Sequence, residues 1–295
     1  MPAEAGYTSD LAIEAAREEA AYSLAVQAYL WGRPLLDYGR SVPAAIRAGD
    51  GRLNRFCKTA VPGGADGIDT CGFWDARSEP VCVIVPEQAK GRGYVVQFAD
   101  MFGTFFHTLG GRQGAQPGLY VIAGPDDKTP LPPNAVRLWP RTRMGVCVVR
   151  IFGGGETGFH MMPLSARTGR RLPPLPLAPY DCDAPQALLT FDRLGYWTRM
   201  AFPSSADSHD TLLASFRLIG LSATSGFNWR GLDDTVRRGV ARAIRRGDEM
   251  VDAGRGWQSL QAEAPVSQWQ AALTGYRLSG HLTESRLQSS CGMTC

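Results

Sequence analysis

Pro80-Val-Cys-Val-Ile-Val-Pro86, Gly93-Tyr-Val-Val-Gln-Phe98, Gly118-Leu-Tyr-Val-Ile122, Ala135-Val-Arg-Leu-Trp139 and Met144-Gly-Val-Cys-Val-Val-Arg-Ile151 decide the fold. Each run is short, rich in β-branched and aromatic residues, and bounded by turn formers, which is the pattern of a strand. No helix-length segment separates them, so parallel βαβ winding is not expected. Gly67 to Arg150 is therefore expected to form a meander of mostly antiparallel strands, in a β-sandwich or jelly-roll-like sheet layer.

Working outward, Ser9-Asp10 followed by Leu11, Ala15, Tyr22, Ala25, Val26, Tyr29 and Leu30 predicts an amphipathic helix. It has an N-cap and acidic early turns, and it is expected to end at Gly32 and Pro34 and to lie across the open face of the sheet. Arg40 to Cys57 alternates apolar and basic residues, and the turn cluster Pro62 to Gly67 delivers Asp69 to the first strand. After Arg150, Gly153 to Gly155 and Pro163, Pro173, Pro174, Pro176 and Pro179 predict an irregular connection. Helices are expected over 184–199, 207–221, 232–253 and 266–278, followed by a tail from His281 to Cys295 without periodicity. The organisation read from the chain is an N-terminal helical segment (1–60), an antiparallel β core (61–152), a Pro-rich connection with a helical layer (153–280) and a flexible tail (281–295). The fold class is α+β.

The order Asp69-Thr70, Phe73-Trp74-Asp75, Glu79-Pro80, Val85-Pro86, Tyr94 to Gln97, Asp100, Gly124-Pro125 and Arg150 resembles the bacterial domain-of-unknown-function family 1254. Ala28-Tyr29-Leu30-Trp31-Gly32-Arg33-Pro34-Leu35 is similar to that family's aromatic-x-aromatic-Gly-x-Pro signature. The resemblance spans roughly residues 20 to 255 and implies a fold more than a reaction. Where the family has Asn-x-Asp-Thr-Leu-Tyr, this chain has Gly67-Ile68-Asp69-Thr70-Cys71-Gly72, a loss of polar groups that points to a less polar ligand. Proteins resembling the family commonly continue into a second β-rich domain, family 1214. Nothing after Leu278 resembles it, so a site wall is expected from a partner chain or a second copy.

Hydrophobic content of 44% and charged content of 20% fit a soluble globular protein, and a net charge of +3 gives no reason to invoke nucleic acid or a membrane surface. Lysine occurs only at Lys58, Lys90 and Lys128 against many arginines, a bias of GC-rich bacterial codon usage. The N-terminus has neither a basic start nor an apolar run, so no secretory signal is expected and the cytoplasm is the default location. The seven cysteines include no Cys-x-x-Cys pair, which argues against a disulfide framework or a zinc knuckle.

His107, His160, His209 and His281 lie in separate segments, so no metal is expected, although carboxylates such as Asp69, Asp75 and Asp100 could hold magnesium. The acid–base candidates are Asp69, Asp100, His107 and Arg150. Trp31, Trp74, Tyr94, Phe102 and Phe105 are candidates for substrate contact. A carboxyl or imidazole group in an apolar aromatic pocket has its pKa moved toward neutrality, as proton transfer requires. The competing reading makes the aspartates turn formers and Arg150 one half of a structural ion pair. Cys71 reads as a small buried hydrophobe, Gly153 to Gly155 as a flexible turn, and the arginines after Leu232 as a solvated helix face. No cofactor motif is present. The expected function is a cofactor-independent isomerase, cyclase or lyase acting on a hydrophobic small molecule, in a setting of bacterial specialised metabolism. The alternatives are a non-catalytic ligand-binding or scaffolding protein and, third, a phosphate-ester hydrolase.

Overall fold

A computed structural model describes residues 9–48, 53–58, 67–87, 93–111, 116–152, 158–167, 169, 180 and 183–260. The expected helix over 266–278, the tail from His281, Gly153 to Gly155 and the prolines from Pro173 to Pro179 lie outside the described residues. The described part falls into two compact units. One contains the residues up to Leu36, those between 179 and 199, and those from 204 onward; the other contains those between 37 and 178 together with 200–203.

Helix α1 (Asp10–Ala48) begins in the first unit and ends in the second. The sequence stops it at Pro34, but it runs through both Pro34 and Pro43. Proline removes one ladder hydrogen bond and crowds the preceding turn. Beyond Pro34, however, Leu35, Leu36, Tyr38 and Val42 are all buried, and their packing outweighs that local cost.

The second unit is a two-layered β structure. Strands β1 (Cys57–Lys58), β2 (Gly67–Asp75), β8 (Met144–Phe152), β4 (Tyr94–Asp100) and β5 (Phe105–Gly111) form one sheet in that order. Strands β7 (Ala135–Leu138), β6 (Gly118–Ile122), β3 (Val81–Val85) and β9 (His160–Pro163) form the other. Every pairing is antiparallel except β6 with β7, which is parallel. The meander expected from the sequence gives way to a chain that switches sheets repeatedly. Sequence neighbours β2 and β3 are in different sheets, while β2 pairs with distant β8 from Gly67 opposite Phe152 to Asp75 opposite Met144. Alternate residues of both sheets share one core: Trp74, Tyr94, Val96, Phe98, Cys147, Val149 and Ile151 from the first, and Val81, Val83, Val85, Tyr120, Ile122, Leu138 and Met161 from the second. Fully burying each of the aliphatic side chains contributes about 1.5–3 kcal/mol. On the other face of the first sheet, Tyr38 of α1 meets Phe73 edge-on at 6.3 Å, and its hydroxyl donates to the Gly145 carbonyl at 3.4 Å. The end of α1, around Tyr38, therefore lies on this face.

The first unit packs α1 with α3 (Leu189–Ala201), α5 (Thr211–Phe216), the short hairpin β10–β11 (Leu221–Ser222 and Gly226–Phe227) and α6 (Asp234–Leu260). The short helix α4 (Ala206–His209) completes the set, while the short helix α2 (Leu164–Arg167) belongs to the sandwich unit. The side chain of Asp210 caps α5 by accepting from the Leu212 and Leu213 amides. On α6, Val240, Ala243 and Gly247 are buried, and Arg238 and Arg242 reach Glu18 and Glu19 of α1. A side chain at Gly247 would fall on the Tyr29 ring, so glycine sets how closely the two helices approach.

Candidate functional site

The sandwich interior holds a run of aromatic rings from four strands. Trp74 on β2 meets Phe106 on β5 edge-on at 6.0 Å, and Phe106 meets Phe98 on β4 at 6.2 Å. Phe98 in turn meets His107 at 5.9 Å, and His107 lies 6.4 Å from Tyr120 on β6. Two consecutive residues of one strand, Phe106 and His107, both reach this cluster. The reason is a register shift: Phe98 pairs with His107 while Ala99 pairs with Phe105, leaving Phe106 as the extra residue of a bulge.

The His107 ring is half-buried, but its Nε2 is buried and has no hydrogen-bond partner among the described residues. The same holds for Nε1 of Trp74, whose side chain is fully buried. Burial pushes the His107 pKa below the ordinary imidazole value, so the ring is neutral at pH 7. Burial also raises the pKa of the Tyr120 phenol, whose hydroxyl donates to the Gln116 carbonyl at 3.0 Å. Tyr94 lies deeper in the core, edge-on to Phe159 at 5.2 Å.

Asp100 closes the β4–β5 connection. It is 2% exposed, and its Oδ1 accepts from the amides of Phe102 at 2.9 Å and Thr104 at 3.0 Å. Burial raises its pKa; those two amides and the nearby Arg141 oppose the shift. This is the turn-forming role that the sequence held open beside the catalytic one. Close by in the chain, Phe102 packs against Phe202 and under the Arg141 guanidinium, while Phe105 is 39% exposed.

Asp69 and Arg150 stand directly opposite each other on β2 and β8. Val149 and Ile151 both belong to the sandwich core, so strand alternation puts Arg150 on the other face of the sheet, away from His107. Trp31 belongs to the helical unit, where it packs edge-on against Phe216 at 5.4 Å. The structure thus puts His107 and Trp74 in one run of rings, with Tyr94 in the same core, and Arg150 on the opposite face of the sheet.

Sequence reasoning passed over Phe98, Phe106 and Tyr120. Tyr120 had a signal, the alternation of Gly118 to Ile122, whereas the bulge that turns Phe106 inward had none. It also passed over the ion pair of Asp75 with Arg77, in which Nε donates at 2.9 Å and Nη2 at 2.7 Å. Asn54 clamps the same strand end, accepting from the Asp75 amide at 2.7 Å and donating to its carbonyl at 3.0 Å.

Among the described residues, no three or more His, Cys, Asp or Glu side chains are grouped to hold a metal ion, and no helix is long and apolar enough to cross a membrane. Burial raises the Cys82 thiol to about 11 and the Cys147 thiol well above its ordinary value, so both are inert hydrophobes. The helical unit has an open groove of about 520 Å³ lined by Gln186, Thr190, Ile244, Arg245, Asp248 and Glu249 among others. Close to it, Tyr29 donates to Asp248, and its phenol is pushed up to about 12, first by burial and then by that bond.

Among solved structures, the chain is similar to the VPA0106 protein from Vibrio parahaemolyticus, with a TM-score of 0.61 and 18% identity over 77% of this chain and 58% of that one. The chain thus spans little more than half the length of that protein, and the likeness shows the fold alone. A putative uncharacterized protein from Burkholderia cenocepacia has a TM-score of 0.30 and 14% identity, covering 63% of this chain and 55% of that one. No curated protein matches the sequence. Residues 46–163, which contain the whole aromatic cluster, match the model of the family described as "Protein of unknown function (DUF1254)", in agreement with the resemblance carried by Asp69, Trp74 and Arg150.

Proposed function

We propose that the sandwich unit binds a hydrophobic small molecule at its aromatic cluster and that His107 exchanges a proton with it. This makes the protein a cofactor-independent enzyme of isomerisation, cyclisation or elimination. One observation carries the reading: a neutral imidazole, walled by Phe98 and Tyr120, presents a buried Nε2 with no partner among the described residues. A buried polar atom left without a partner costs roughly 1–3 kcal/mol, so its retention calls for an occupant. In the tautomer protonated on Nδ1, Nε2 offers a lone pair in a low-dielectric setting, and a base with a pKa below neutrality is present in its active form at pH 7. Of the other candidates, Asp100 fixes the turn that starts β5.

The test needs no knowledge of the substrate. Purified protein is incubated in heavy water with a hydrophobic metabolite extract, and deuterium uptake is followed by mass spectrometry. Wild type is expected to label at least one metabolite that His107→Gln labels about 10²- to 10⁴-fold more slowly, with both proteins folded. Identical labelling by the two proteins, or none by either, overturns the reading.

A further inference from the structure

Strand β1 is very short, yet both of its residues have fixed partners on β2: Cys57 stands opposite Cys71, and Lys58 opposite Thr70. The register is held from the side of Asn54. Its amide donates to the Phe73 carbonyl at 2.8 Å and its side chain clamps the Asp75 backbone, so the segment leading into β1 resists slipping along β2. Gly72 lets that segment come close, because a side chain there would collide with the Arg55 carbonyl. The sequence reads Cys71 as a small buried hydrophobe, but the structure leaves it partly exposed, on the face of the sheet where Phe73 meets Tyr38. Cys82 and Cys147, by contrast, are buried.

Directly opposed residues of an antiparallel pair have Cα atoms about 4.5 or 5.5 Å apart and side chains on one face. A disulfide needs Cα atoms about 4.4–6.8 Å apart, so this register meets the backbone requirement. We infer that Cys57 and Cys71 are a redox pair, joined by a reversible cross-strand disulfide when the protein meets a peroxide. The inference does not rest on the proposed function. Its chemistry balances in two steps. The Cys71 sulfur attacks hydrogen peroxide, forming an S–O bond as the O–O bond breaks, and its proton leaves with the departing oxygen as water. The Cys57 sulfur then attacks that sulfenic sulfur, forming the S–S bond as the S–O bond breaks, and a second water leaves. The two thiols together lose two electrons, and the peroxide gains them. An added dithiol reverses the bridge by thiol–disulfide exchange. The bridge closes a loop of about 15 residues and ties the edge strand to its sheet, which stabilises the oxidised chain.

The experiment uses the whole protein, first reduced, then exposed to hydrogen peroxide, alkylated and mapped by peptide mass spectrometry without reduction. The map is expected to show one new cross-link, between the peptides of Cys57 and Cys71, two hydrogens lighter than their sum and lost on adding dithiothreitol. Oxidation should raise the melting temperature of the wild type by roughly 5–10 °C. In Cys57→Ser the resolving sulfur is gone, so dimedone should trap a sulfenic acid at Cys71 that does not accumulate in the wild type. Three results would each overturn the inference: no cross-link, a cross-link of Cys71 to any other cysteine, or a 57–71 cross-link that leaves the melting temperature unchanged or lower. The peptide map of the wild type decides the matter even if the variant does not fold.

Discussion

The sandwich unit and the helical unit both pair arginine with carboxylate, but at different depths. Asp75 and Arg77 have side chains only 6% and 9% exposed, whereas Arg246 and Glu249 on α6 are 54% and 53% exposed. In the sandwich, the pair sits at the end of β2, with the half-buried Arg143 close enough that the Arg77 charge helps depress its pKa after burial itself. On α6, the arginines face water and bond to Glu18, Glu19 and Glu249. The same two groups therefore have different consequences. A buried charge left alone is costly because water cannot replace its partner, and an exposed one is simply re-solvated. The helical unit tolerates charge changes, while the sandwich unit fixes its charges and, among the described residues, leaves the Trp74 and His107 ring nitrogens without a hydrogen-bond partner.

That comparison breaks most readily at Asp75. Asp75→Ala should cost about 3–5 kcal/mol in chemical denaturation, since it removes the carboxylate that pairs with the buried Arg77 charge next to Arg143. A loss under 1 kcal/mol would mean that the pair is effectively solvated and that the two units do not differ in this respect.

Asp100 sharpens the contrast by separating charge from hydrogen bonding. Asp100→Ala should cost about 1–3 kcal/mol, because the Phe102 and Thr104 amides lose their acceptor. Asp100→Asn keeps an Oδ1 for both amides and should cost much less. The pH dependence follows from the raised pKa. Between the ordinary value of 3.8 and the higher folded value, the native state holds a proton that the unfolded chain has released. The Asp100 contribution therefore declines as pH rises through that window, and Asp100→Asn should remove the decline. An unchanged pH profile in the variant would show that the carboxyl is not desolvated.

The smallest effect is expected on α6. Arg246→Ala should shift stability by no more than about 0.5 kcal/mol, read as an almost unchanged melting temperature. A larger loss would reveal a network that exposure alone does not show.

Much of the fold was legible because strand signals are local. The runs at Val81, Tyr94, Gly118, Ala135 and Met144 emerged as strands β3, β4, β6, β7 and β8 within a residue or two of their expected bounds. The apolar stripe through Val240 on α6 was readable for the same reason. Pairing was not legible. Nothing near Asp75 announces that β2 pairs with β8 across intervening strands of both sheets, or that β7 runs parallel to β6. The continuation of α1 past Pro34 was hidden because tertiary burial of Leu35 and Tyr38, not propensity, decided it. The candidate site was half legible. His107 and Trp74 were named from chemistry, but their ring neighbours depend on a bulge of one residue, and Arg150 falls on the other face because strand alternation puts it there.

The central claim is that His107 is a neutral, partly desolvated base, and its titration followed by NMR in the intact protein tests that most directly. The account predicts an apparent pKa below the ordinary value of about 6.5. It also predicts stability that is fully present above that value and lost as pH falls from it through the folded pKa, because the unfolded chain binds the proton first. This acid-side loss should be absent in His107→Phe. A His107 that titrates at or above about 6.5, with the same pH dependence of stability in the variant as in the wild type, would contradict the account.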